Sequence, residues 1–251
     1  IQGKNTTRKR QSWHHRADTY CHKFSVDETN SETSKMVTVG IFGATGNIGQ
    51  CLLPLLIDEP TVEEIRVITN RPERIESEVN QTKGKRIIIT KGNYCTDENA
   101  VMETLKGCNR LFLILPQSLS SKEMIEKGKF LADCALASNI ESIARISSLG
   151  IDSKSINFVG SQGPLGDAHV AIEEYCQKIG LQQVSLRPTS LFSNIGFNAE
   201  EISSKSTIST PLGKTAKVNW VSCRDVAKVA AKVVVATEWD EFGKIIDITG
   251  P

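Results

Sequence analysis

The sequence predicts an α/β fold organised on a doubly wound parallel sheet. From Met36 onward, short apolar runs alternate with longer runs whose apolar residues recur at helical spacing. Between the first apolar run and the first helical one lies a glycine-rich heptapeptide, Gly43-Ala44-Thr45-Gly46-Asn47-Ile48-Gly49. Strands this uniformly apolar require a sheet covered by helices on both faces.

Val37 to Phe42 (VTVGIF) is the first strand. After the glycine turn, Ile48, Leu52, Leu53, Leu55 and Leu56 fall at helical spacing, with Pro54 among them, where a kink is expected. Ile65 to Thr69 and Arg86 to Thr90 are the second and third strands, and Asp97 to Lys106 is a helix. Leu111 to Leu115 forms the fourth strand, followed by a helix from about Ser121 to Ser138 and a fifth strand, Ser142 to Ser147. A helix from His169 to Ile179, a strand from Gln183 to Arg187, a helix from Val221 to Ala236 and a strand from Lys244 to Ile248 complete the alternation. The natural outcome is a Rossmann-like fold over residues 36–251, with substrate-side segments around 189–220.

Residues 1–35 differ in kind. Their first acid is Asp18, after Lys4, Arg8, Lys9, Arg10 and Arg16, and no periodicity runs through them. They read as a disordered tail, an organellar transit peptide or an extension foreign to the native protein, with Met36 as the effective start of the fold. A metal site built on His14, His15, Cys21 and His22 lacks zinc-site spacing. The seven cysteines are scattered without a CxxC pair, which suits free thiols in a reducing, cytoplasmic setting. Thirty basic residues against 29 acidic ones leave a net charge of +1, giving no electrostatic case for a nucleic-acid or membrane partner.

The glycine turn has a ligand chemistry of its own. Gly43 permits a sharp exit from the strand, Gly46 lets the backbone approach a pyrophosphate, and Gly49 lets the helix pack tightly. The helix start adds free N–H groups and a positive dipole end. The segment from Gly43 to Gly49, with Ala44, Thr45, Asn47 and Ile48, is thus a dinucleotide-binding turn in the required strand–turn–helix setting. An NAD site places Asp or Glu at the end of the second strand, to hold the ribose 2′-hydroxyl. Here Thr69-Asn70-Arg71-Pro72 stands there. Arg71, with Arg74 one turn further on, can pair with a 2′-phosphate, so NADP(H) is favoured over NAD(H).

The ordered motifs identify a family. The chain resembles the NmrA-like branch of the atypical short-chain dehydrogenases, which includes NADPH-dependent quinone reductases. The resemblance runs from Met36 to the end. It rests on GATGNIG, Lys91-Gly92-Asn93-Tyr94, Leu115-Pro116-Gln117, Ile146-Ser147-Ser148 and His169-Val170-Ala171-Ile172-Glu173. Leu186-Arg187-Pro188, Phe192-Ser193-Asn194 and Val221 to Ala227 complete it. It implies an NADP(H)-binding domain whose cofactor residues include Leu115 and Pro116, with a small C-terminal substrate lobe. Members of the family include reductases and non-catalytic redox sensors that regulate partner proteins. The chain departs from the pattern in two places. Arg71 stands one place later than the usual Arg-Asn-Pro arginine, and Asn93 replaces a common Asp. It also ends at Pro251, before the family's usual C-terminal segment, so part of the substrate lobe is expected to be missing.

No Tyr-x-x-x-Lys acid/base pair is present; Tyr175 and Lys178 are three apart. Tyr175 reads as helix packing. Ser147 and Ser148 can hydrogen-bond a substrate carbonyl or the nicotinamide, or simply cap the next turn. His169, at a helix start, is a candidate proton donor or a structural histidine. Asn194 borders the expected pocket, while Glu173 and Asp225 read as helix-positioning groups. The functional expectation is hydride transfer to a small electron acceptor such as a quinone, which needs alignment more than acid/base groups. Its alternative is a non-catalytic NADP(H) sensor with a regulatory protein partner.

Overall fold

Val37–Phe42 (β1) is buried along its whole length, as an interior strand of the sheet. In the computed structural model, the structure describes residues 35–80, 82, 84–151, 163–209, 217–236 and 245–250. Around β1 lie Val62–Thr69 (β2), Arg86–Lys91 (β3), Arg110–Leu113 (β4), Ser142–Ile146 (β5) and Gln183–Pro188 (β6). Next to β6 lies Ile245–Ile248 (β9), which two short strands precede in the chain. Among the described residues the sheet has seven strands in the order β3-β2-β1-β4-β5-β6-β9, with every pairing parallel. This is the expected doubly wound, Rossmann-like arrangement.

Two-residue periodicity divides the apolar side chains between two cores. Val37, Val39, Ile41, Phe112, Ala144, Val184 and Leu186 face one layer. There they meet Asn47–Asp58 (α1) and Cys223–Val235 (α7). Phe42, Leu111, Leu113 and Ile143 face the other, against Glu98–Leu105 (α3), Ser121–Ala137 (α4) and Pro164–Lys178 (α5). Leu52, Leu53 and Leu56 of α1 are fully buried. Each contributes about 1.5–3 kcal/mol relative to an exposed position. α1 continues through Pro54 to Asp58.

Several boundaries differ from expectation. β2 begins at Val62 rather than Ile65, because Glu63 and Glu64 disguise its start; Glu64 is held by Arg66 at 2.6 Å. α5 begins at Pro164 rather than His169, started by Gly163 at φ +72 and proline in its first turn. His169 therefore sits inside the helix. β4 ends at Leu113 rather than Leu115, although the Ile114 N–H still bonds the Phe42 carbonyl of β1 at 3.0 Å. A 3-10 turn, Pro72–Arg74, and a one-turn helix, Glu76–Val79 (α2), follow β2.

Within residues 189–220 the structure has Ser190–Leu191 (β7), the 3-10 segment Phe192–Asn198 and Ala199–Lys205 (α6). Trp220–Val221 (β8) pairs with β7. The expectations for the N-terminal tail and its histidines, for Lys244 and for Pro251 lie outside the described residues. Lys35, at the edge of that tail, pairs with Glu141.

Candidate functional site

The strand order reverses between β1 and β4, and the turns leaving their C-terminal ends open a crevice there. A cleft of about 910 Å³ follows these strand ends. It contains Gly43, Thr45, Gly46, Asn47 and Ile48 of the glycine turn, Asn70 and Arg71 after β2, and Leu115 and Pro116 after β4. Ser147 and Ser148 after β5, His169 on α5 and Asn194 also line it. Ala44 and Gly49 do not line it. Ala44 is fully buried in the core, and Gly49 lies behind the turn.

The three glycines have separable roles. Gly43 sits at φ +102, where an L side chain is strained, and a Cβ there would come within 3.1 Å of Ile114 Cβ. A Cβ on Gly49 would lie 2.1 Å from the Gly43 carbonyl oxygen, so only glycine lets α1 seat on the turn. Gly46 has an ordinary φ of −86, and its nearest neighbour to a Cβ is the Gly43 oxygen at 3.3 Å. The fold makes little demand for glycine at 46. Open space in front of the exposed Gly46 backbone is what the missing side chain provides.

α1 is also uncapped. Asp97 caps α3, Ser120 and Glu123 form a capping box on α4, and Ser222 caps α7. The N-cap of α1 is Gly46, with no side-chain hydrogen bond and no acid in the first turn. Its first-turn N–H groups thus have no intrahelical acceptor, and Gly46, Asn47 and Ile48 line the cleft. A phosphate fits such a cradle.

Among the described lining residues there is no carboxylate, and Arg71 and Lys217 are the charged ones. The Arg71 backbone is fixed by its N–H bond to Thr69 Oγ1 at 3.0 Å, while its side chain is exposed. Arg74 reaches back to the Thr45 carbonyl at 3.4 Å, bracing the turn instead of lining the cleft. Asn93 accepts from the Cys95 N–H at 3.0 Å, an Asx turn that an Asp would also make.

Under the other end of the cleft lies a polar cluster. Arg145 on β5 and Arg187 on β6 both pair with Glu173 on α5, and their side chains are almost completely buried. Ser147 donates its hydroxyl to Glu173 Oε1 at 2.7 Å. With its proton engaged there, it has lone pairs left to offer a ligand. Burial raises the Glu173 carboxyl, but Arg187, Arg145 and Ser147 outweigh it and hold the group below its ordinary value. His169 Nδ1 lies 3.0 Å from Arg145 Nη1. Burial first, then Arg145, push the His169 pKa down to about 4. Both effects favour the uncharged imidazole over the imidazolium at neutral pH.

Tyr175 is bonded to Asp133 at 2.7 Å on the α4–α5 face and does not line the cleft. Asp225 takes the Ser222 hydroxyl at 2.7 Å and Lys228 at 2.9 Å, a helix-start role. The sequence reading missed the role of Arg145, although a lone charge inside an apolar strand signals a buried partner. It also missed Leu165 and Phe197, which line the cleft although 43% and 78% exposed, and Lys217. Nothing in their local pattern marks them.

Three comparisons bear on this arrangement. The model of the NmrA-like family matches residues 34–250. The Prestalk A differentiation protein A of Dictyostelium discoideum is 31% identical over 89% of this chain and 67% of that protein. The Citrobacter sp. triphenylmethane reductase complexed with NADP(H) superposes with a TM-score of 0.69 at 19% identity, over 84% of this chain and 70% of that one. The Escherichia coli NADPH-dependent quinone oxidoreductase complexed with NADPH gives 0.64 at 22%, over 84% and 69%. Both structural likenesses agree with the Rossmann-like sheet. With the family model matching residues 34–250, the chain belongs to the NmrA-like family.

Proposed function

We propose that this protein is an NADP(H)-dependent oxidoreductase that passes a hydride to a small quinone or similar electrophile. The reading is carried by one combination: an uncapped α1 start beneath Gly46, in a cleft whose described lining has no carboxylate. That lining offers N–H groups to a pyrophosphate and nothing acidic to a ribose 2′-hydroxyl. Arg71 is the cation beside the 2′-phosphate position, as a charge-assisted donor.

Leu115, Pro116 and Ile146 supply apolar walls, and Ser147 accepts a hydrogen bond from a carboxamide. When bound, the cofactor supplies the hydride. Leu149, Leu165, Leu191 and Phe197 extend the apolar lining for a flat acceptor. The NADP(H)-bound reductases that share the fold support this reading. Purified protein is expected to bind NADPH and oxidise it with at least one member of a quinone panel; a uniformly negative panel overturns the reading.

A second reading is an NADP(H) sensor without turnover. Its motivation is that the sequence holds no Tyr-x-x-x-Lys pair and that Tyr175 is tied to Asp133 away from the cleft. Nucleotide-dependent capture of a protein partner, with no turnover, would favour it.

A further inference from the structure

Arg145 makes an unusually complete set of bonds for a buried cation. Its Nε–H points to Gln183 Oε1 at 3.3 Å. Nη1 serves His169 Nδ1 at 3.0 Å and the Ile146 carbonyl at 3.4 Å. Nη2 serves the His169 carbonyl at 3.2 Å and Glu173 Oε1 at 3.4 Å. Guanidinium has N–H donors only, so His169 Nδ1 is the acceptor in this contact. Both the ring and the backbone of His169 are gripped by one rigid fork.

The other ring nitrogen, Nε2, has no protein partner among the described residues, and His169 lines the cleft. We propose that Arg145 is a positioning residue: it holds His169 as the neutral tautomer with its proton on Nε2 and presents that N–H to the oxygen of the bound electrophile. The proposal deepens the oxidoreductase reading and rests on it. Hydride addition to a quinone places an electron pair on its oxygen; the Nε2–H stabilises that charge as a hydrogen-bond donor, and water supplies the proton.

The charged groups around His169 agree with this. Arg145 on β5 and Arg187 on β6 oppose a second proton on the ring. Glu173, one turn along α5, favours it, but its carboxylate is already engaged by both arginines and Ser147. Burial adds to the arginines, and the imidazolium is disfavoured until about pH 4.

The test is ¹H–¹⁵N imidazole NMR on the full chain from about pH 5 to pH 8, with His169 assigned by its disappearance in His169→Gln. The expected spectrum has a bare Nδ1 and a protonated Nε2 throughout. A proton on Nδ1, or a titration midpoint near the ordinary 6.5, overturns the proposal. Arg145→Lys keeps a cation but loses the fork. It is expected to mix the tautomers and lower kcat about tenfold while NADPH affinity stays within about twofold. An unchanged tautomer and kcat in folded Arg145→Lys would also overturn it, and if that variant fails to fold, the wild-type spectrum decides. His169→Phe is expected to lose about a hundredfold in rate, most of which His169→Gln restores by offering a neutral N–H. NADPH titration of the same sample separates the two layers. Absent nucleotide binding sinks the oxidoreductase reading, whereas turnover with the wrong tautomer sinks only the role of Arg145.

Discussion

The carbonyl oxygen of Gly43 stands where a side chain on Gly49 would have to go, 2.1 Å from its Cβ position. The contact ties the first turn of α1 to the exit of β1, and it is a requirement of folding. Gly49→Ala is therefore expected to cost about 3 kcal/mol of stability, read as a lower urea midpoint at unchanged slope.

Gly46 belongs to the ligand rather than the fold. A Cβ there meets only the Gly43 oxygen within 4 Å, at 3.3 Å. Gly46→Val is expected to leave stability within about 1 kcal/mol, mostly through a poorer N-cap, while weakening NADPH by about a hundredfold or more. Thermal melts with and without NADPH measure both: the variant should melt near wild type and gain nothing from the nucleotide.

Arg71 carries the choice of cofactor. Arg71→Ala is expected to weaken NADPH by about tenfold and to leave NADH unchanged. Equal loss for both nucleotides in a fluorescence titration would assign the arginine to some other task.

Acid destabilises the fold through His169. Its folded pKa of about 4 lies below the ordinary 6.5, so the unfolded chain binds the proton more tightly. Stability is then complete above about pH 6.5 and falls with pH toward the folded value, by about 3 kcal/mol in all. Glu173, whose carboxyl is also held below its ordinary value, adds a loss at the acid end. Denaturant midpoints measured through this window should slope for wild type and flatten in His169→Gln.

Ser147 gives its proton to Glu173 at 2.7 Å. Ser147→Ala is expected to cost about 1.5–3 kcal/mol, the range for a buried bond to a charged group, whereas Ser148→Ala should be near neutral. Chemical denaturation distinguishes them.

The alternation of apolar and helical runs made the sheet legible, since burial on both faces leaves a strong periodic signature. The glycine turn was legible for the same kind of reason: Gly43 and Gly49 answer local backbone demands that spacing alone displays. Boundaries slipped where polar residues enter an element, as with Glu63 and Glu64 in β2. The start of α5 slipped because Gly163-Pro164 marks it ahead of any apolar repeat. Among site residues, His169 and Ser147 were visible as polar groups near strand or helix ends. Their chemistry was not, because it depends on Arg145, Arg187 and Glu173 meeting across β5, β6 and α5. Phe197, Leu165 and Lys217 reach the cleft only through tertiary placement.

The most direct measurement is a calorimetric titration of the purified chain with NADPH and with NADH. The cleft predicts that NADPH binds, with NADH at least about tenfold weaker because Arg71 has no 2′-phosphate to meet. Binding of neither nucleotide, or NADH binding as tightly as NADPH, would contradict the account.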